Sequence, residues 1–270
     1  MPETNYQQQT DGQIWQTIRN EAEQEVRSEP LLASFMHAAI LKHNSLEQAL
    51  SFNLATKLDS QTLPAILLRE LFDEALSDDQ GIRVAMRADL CAVRERDPAC
   101  HRFLTPLLYF KGYNAVQSYR VGHWLWQHSR RSLALFLQSR VSEALSVDIH
   151  PAARIGIGIM VDHATGLVVG ETAIVGNNVS MLHEVTLGGT GKQSGQRHPT
   201  VGSGVLIGAG AKVLGDVRIG DGAKIGSGSV VLTDIPPHCT ATGVPAKVVG
   251  KPCVAQPALE MDHQLDNPTT

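Results

Sequence analysis

From Ile149 onward an aliphatic residue or alanine returns at every sixth position: Ile149, Ile155, Val161, Leu167, Ala173, Val179 and Val185, then Val201, Ile207, Val213, Ile219, Ile225 and Val231. Glycine often follows directly, as at Gly156, Gly202, Gly208, Gly220 and Gly226. A step of six matches neither the 3.6-residue period of a helix nor the two-residue period of a strand. It suits a chain that runs a short strand, turns a corner and repeats. Three such hexads close one triangular coil, with the recurring aliphatic filling the interior and the glycines permitting corner conformations that a β-carbon would hinder. Each coil buries its face on the next, which makes this a repeat architecture. Residues Gly191 to Thr200 interrupt the pattern by ten positions without disturbing its phase, so they are expected to loop out from a corner. A polar excursion from a rigid scaffold is a common place for binding residues, and also for tolerated insertions.

Before Ile149 the apolar spacing changes to three and four, as in Ile14, Ile18, Ala22 and Val26, and in Leu67, Leu71 and Ala75. These predict amphipathic helices. Pro30 and Pro64 suit first turns, Ser45 to Gln48 has the form of a capping box, and Asp97-Pro98 ends a helix running through Met86 and Val93. A further helical stretch, 115–144, carries Trp124, Trp126 and Phe136, aromatics that suit core or subunit contact. The predicted organisation is α+β: a helical domain over 1–145, a β-solenoid over 146–250 and a flexible tail over 251–270.

Composition narrows the class. With 43% hydrophobic residues, 19% charged and a formal charge of -4, the chain reads as a globular protein without the basic surplus of a nucleic-acid binder. The polar stretch 1–10 has no secretory pattern and no apolar run reaches about 18 residues, so a cytoplasmic location without membrane contact is expected. Cys91, Cys100, Cys239 and Cys253 form no metal or disulfide pattern and are expected to be free thiols.

Three segments of the repeat region, VDIHPAA (147–153), GIMVDHATG (158–166) and VTLGGTGK (185–192), resemble the serine O-acetyltransferase family, as do RERDPA (94–99), TPLLY (105–109) and GHWLW (122–126). The resemblance covers nearly the whole chain. The hexads alone leave the acyl acceptor open, and it is the helical motifs joined to the histidine segment that narrow the family. The resemblance implies that the solenoid is a left-handed parallel β-helix, an exception to the usual right-handed crossover. It also implies transfer of acetyl from acetyl-CoA to the hydroxyl of L-serine, for L-cysteine synthesis.

The chemistry can be argued from residues. A serine hydroxyl is a very weak acid and must lose its proton as it attacks a thioester, which calls for a base that titrates near neutrality. Histidine does so, and a carboxylate can fix its tautomer. Asp148 and His163 are fifteen residues apart, close to one coil, so they can lie on one side of the prism and pair. The family resemblance assigns them as the catalytic dyad. Free serine is a zwitterion and needs an anion and a cation; the resemblance gives Asp97 and Asp162 to its ammonium, and Arg197 and His198 on the protruding loop to its carboxylate. His183, about one coil beyond His163, is expected to line the cleft rather than bind a metal, since a third convergent ligand is lacking. Thr190, Ala209 and Ser227 are carried over as acetyl-CoA contacts, with Lys247 in GVPAK as a further one. No metal is expected.

By the same resemblance the chain forms trimers with sites between subunits, paired into hexamers through the helical domain, and L-cysteine inhibits at the serine site. Members also bind O-acetylserine sulfhydrylase through a C-terminal isoleucine; this chain departs from that pattern by ending Asp266-Asn267-Pro268-Thr269-Thr270. Three rivals stay open on residues alone: a hexapeptide acyltransferase for a sugar or another amine, a β-helical metal hydratase and an inert oligomeric scaffold.

Overall fold

A computed structural model describes residues 11–191, 194–249 and 257–261. The chain begins with helices α1 (Asp11–Ser28), α2 (Ala33–Met36), α3 (Leu46–Lys57), α4 (Ala65–Asp78), α5 (Gln80–Arg96), α6 (Leu104–Tyr109), α7 (Lys111–Gln127) and α8 (Arg131–Leu145). Ile14, Ile18 and Ala22 are buried as predicted, whereas α4 turns Leu68 inward beside Leu71 and leaves Leu67 exposed. The Ser45 hydroxyl accepts from the Gln48 amide N–H, and the Gln48 side chain answers to Asn44, one residue before the expected partner. Asp97 caps α5, as the Asp-Pro pair predicts. The stretch expected as one helix over 115–144 is two: α7 stops at Gln127 and Ser129 takes a left-handed φ of 62°, reversing the chain into α8. No glycine or proline marks that break. Among the described residues no helix is long and apolar enough to cross a membrane.

After α8 the chain winds as a parallel β-helix with three faces. Face A stacks β1 (Val147–Ile149), β4 (Leu167–Val169), β7 (Thr186–Gly188), β10 (Lys212–Leu214) and β13 (Val230–Val231). Face B stacks β2 (Arg154–Ile155), β5 (Ile174–Val175), β8 (Thr200–Val201) and β11 (Arg218–Ile219). Face C stacks β3 (Met160–Val161), β6 (Ser180–Met181), β9 (Leu206–Ile207), β12 (Lys224–Ile225) and β14 (Thr240–Gly243), and closes with β15 (Ala246–Val249) running antiparallel to β14. A short helix, α9 (Pro257–Glu260), lies beyond. The helical and solenoid interiors merge into one hydrophobic cluster from Ile14 to Ala246.

Strand register corrects the single ten-residue interruption. Val161 pairs with Met181, and Val169 with Leu187, so these inward positions are eight apart in the first coil and six apart in the second. Two of the extra residues therefore sit at 162–166, and the loop after β7 contributes the other eight. The six-step count skipped this shift because each hexad buries two columns two residues apart, as in Leu167 and Val169, and the count passed from one to the other. The glycines also divide labour differently than expected. Gly156 and Gly202, directly after the aliphatic, have ordinary φ and are small because the next coil's backbone abuts them; the left-handed positions are Gly158 and Gly204, two residues later.

Candidate active site

The solenoid's corners form three vertical edges, and most of the predicted site residues sort onto two of them. On the edge between faces C and A stand Asp162 and His163, then His183, Ala209 and Ser227, one coil below another. The His163 and His183 rings meet edge-on with centroids 5.9 Å apart, which places His183 one coil away as its spacing predicts, although it is not among the residues that line the cleft above it. At the foot of this edge the Gly243 N–H donates to Ser229 Oγ, and Lys247 pairs across the hairpin with Thr242.

The top of the edge opens into a cleft of about 440 Å³ lined by Asp97, Ala99, Tyr109, Phe110, Lys111, Gly112, Val161, Asp162 and His163. Thus the helix stop and the solenoid corner contribute carboxylates to one space. Asp97 Oδ1 accepts the Ala99 N–H at 2.8 Å, so its turn-forming and cleft-lining roles coexist. Asp162 Oδ2 lies 3.8 Å from His163 Nε2, and the imidazole side chain is 76% exposed. Asp148 stands on the outward side of β1, the strand beside β4 that the His163 corner leads into. Its Oδ1 accepts the Gln138 amide at 2.6 Å, and among the described residues its other oxygen has no hydrogen bond. Among the described residues no hydrogen bond or ion pair joins Asp148 to His163, so the pairing expected from their spacing is not seen within one chain.

The other edge, between faces A and B, carries Thr190, Arg197 and His198. Arg197 is ion-paired with Glu171, which holds that carboxyl below its usual range. Thr172 organises the loop: its Oγ accepts the Arg197 and His198 N–H groups at 3.1 and 3.2 Å, and its own N–H donates to His198 Nδ1 at 3.2 Å. A backbone N–H can only donate, so Nδ1 is the bare nitrogen and the neutral ring carries its proton on Nε2. Burial, then the Arg197 cation, lowers the His198 pKa and favours that form. The ring lies against Gly170, where a β-carbon would overlap it. Glu171 and Thr172 were not predicted as site residues; their contacts lie 25 or 26 residues along the chain, beyond any local spacing.

The thiols of Cys91 and Cys100 are pushed up to about 11, chiefly by burial, in keeping with inert free cysteines. Lys192, Cys253 and the C-terminal residues 262–270 lie outside the described residues.

Comparison with known proteins gives these edges a context. Residues 14–118 match the family model "Serine acetyltransferase, N-terminal", and 198–233 match "Bacterial transferase hexapeptide (six repeats)". Serine acetyltransferase of Escherichia coli (strain K12) is 56% identical over 94% of this chain and 93% of its own. A serine acetyltransferase solved in complex with cysteine superimposes with a TM-score of 0.93 at 54% identity, covering 95% of this chain and all of the other. A soybean serine acetyltransferase complexed with serine gives 0.87 at 58% identity, over 88% of this chain and 98% of that one.

Proposed function

This chain is an acyltransferase of the serine acetyltransferase family, and from that premise we propose that it moves acetyl from acetyl-CoA to the hydroxyl of L-serine, with His163 as general base. The observation that carries the reading is the cleft in which His163 stands exposed beside two carboxylates, Asp97 and Asp162. Those acids suit the serine ammonium. His163 takes the hydroxyl proton as the oxygen bonds to the thioester carbonyl carbon; collapse of the tetrahedral intermediate breaks the C–S bond, and the proton passes to the departing thiolate. Asp148 is the carboxylate assigned to orient the imidazole, its free oxygen one strand away. The pantetheine arm of acetyl-CoA runs along the edge past Ala209 and Ser227 toward Lys247, with Thr190 on the opposing wall.

Arg197 and His198 suit the serine carboxylate, yet they stand a face away from Asp97 and Asp162. A three-residue strand spans roughly 10 Å at about 3.3 Å per residue, more than one serine can bridge. The site is therefore completed by a second copy, whose A/B edge faces the C/A edge of the first. Closed threefold symmetry pairs the C/A edge of every copy with an A/B edge, giving three sites per trimer. Val168, Leu135 and Phe136, exposed around face A in the single chain, suit that contact, and Leu31 and Ile66 on the helical domain suit pairing of trimers. L-cysteine, with the same two charged ends as serine, competes for the site and gives feedback control of L-cysteine synthesis in the cytoplasm. The proposed partnership with O-acetylserine sulfhydrylase rests on a tail outside the described residues.

Mixed assemblies test the sharing. In a random 1:1 mixture of His163→Ala and Arg197→Ala subunits, about one site in four draws intact edges from both partners. Thiol release from acetyl-CoA at low serine is expected to recover to roughly a quarter of the native rate, whereas each variant alone stays near background. A mixture no better than its components would mean that one chain supplies the whole site.

Gly170→Ala probes the loop without touching a charge. The new methyl displaces the His198 ring, and loss of a charge-assisted hydrogen bond of about 1.5–3 kcal/mol raises KM for serine by roughly ten- to hundredfold. Initial-rate kinetics should show kcat changing much less, and an unchanged KM would remove His198 from serine binding.

A further inference from the structure

The corner that carries His163 differs from those below it. Between faces C and A, the inward pairs Met181/Leu187, Ile207/Val213 and Ile225/Val231 are each six residues apart, whereas Val161 and Val169 are eight apart. The lower corners each use one left-handed residue, Glu184, Gly210 or Gly228; the first uses His163 and Ala164 in succession, with φ of 55° and 59°, and Gly166 after them. Two consecutive left-handed residues with β-carbons are unfavourable and persist only where their surroundings over-determine them.

Those surroundings are concentrated at the first turn of α7. Gly112 lies so close to the Val161 carbonyl that a β-carbon would overlap it, so the helix backbone presses on the strand end that launches the corner. Lys111 Nζ donates to Thr165 Oγ. Thr165 is itself tied to the catalytic position, since its N–H donates to the His163 carbonyl at 2.8 Å, and its own carbonyl accepts the Glu184 N–H at 2.7 Å. A chain of contacts thus runs from the Lys111 ammonium through Thr165 to the His163 backbone, and its two end residues, Lys111 and His163, line the same cleft.

We propose that the first turn of α7 is the clamp that holds the extended corner in catalytic register, with Lys111 as a positioning residue acting through Thr165. The inference rests on His163 being the base. Misplacing a catalytic group by about 1 Å can cost a hundredfold in rate, so the clamp governs kcat rather than the capture of either substrate.

The test uses the full-length enzyme with L-serine and acetyl-CoA. Lys111→Met is expected to lower kcat ten- to a hundredfold, with both KM values within about twofold and the thermal midpoint unchanged. Lys111→Arg, which can still donate to Thr165, should recover kcat to within about threefold. Thr165→Val should match Lys111→Met, and the double variant should be no slower than either single one, because the two act as one contact. Native kcat in Lys111→Met overturns the proposal, as does a rise in KM for serine alone, which would make Lys111 a substrate contact. Additive losses in the double variant also overturn it. His163→Ala separates the two layers: if it keeps full activity, the reading of His163 as base falls, whereas an inactive His163→Ala beside an unaffected Lys111→Met removes only the clamp.

Discussion

Replacing His163 by alanine lowers kcat by about two to four orders of magnitude, the usual contribution of a positioned general base, while the protein folds and assembles as before. Both halves of that expectation come from where the residue stands. Its side chain is 76% exposed and packs into no core, so truncation leaves no cavity, and alanine already occupies the next left-handed position at 164. The serine grip is untouched, because Asp97 and Asp162 keep their places and Arg197 is held by Glu171 on another edge. KM for serine should therefore move by less than about threefold while kcat collapses, a pattern that marks a group needed in the transition state only. A variant that retains a tenth or more of the native kcat would return the proton transfer to another group.

The largest structural loss is expected from Asp89, a residue far from the chemistry. Its side chain is 1% exposed and ion-paired with Arg120. Oδ2 accepts from Arg120 Nε, Arg120 Nη2 and Gln117 Nε2 at 2.7 to 2.9 Å, while Oδ1 accepts the Ile159 N–H at 2.8 Å. Arg120 reaches on to the Gly156 carbonyl. One carboxylate thus joins α5 and α7 to the first corner between faces B and C. Asp89→Ala strands a buried guanidinium and an amide N–H, and breaking such a pair costs about 3–5 kcal/mol. Urea denaturation should show a midpoint falling by a matching amount with the slope retained. The double variant Asp89→Leu with Arg120→Met, which removes both charges, should be more stable than Asp89→Ala. If it is less stable, the pair contributes more than its own desolvation costs.

How far the sequence alone carried the fold depended on which contacts are periodic. The solenoid was legible because every coil repeats the same steric demand, and the helical half because Ile14, Ile18 and Ala22 share one face. The phase was not legible, since two buried columns per hexad make a two-residue shift invisible to a count of aliphatics. Asp97, Asp162 and His163 are singled out only through a resemblance in the segments that hold them, and the cleft brings all three side by side. Thr172 was beyond reach: nothing local distinguishes a corner threonine that seats a loop from one that faces water. Lys111 was missed for a similar reason, its partner Thr165 lying 54 residues away on the solenoid. The α7–α8 break escaped notice because a serine, not a glycine, adopts the left-handed turn.

The hairpin of β14 and β15 carries a consequence of its own. A stack of parallel strands ends in open backbone groups that could template another copy, as growing fibres do. Here face C finishes with a strand running backwards, and Lys247 projects from it into water. At the opposite end α8 lies along β1. An incoming solenoid thus meets a reversed strand bearing a lysine at face C on one side and a helix on the other, obstacles to end-to-end stacking that are written in the polypeptide.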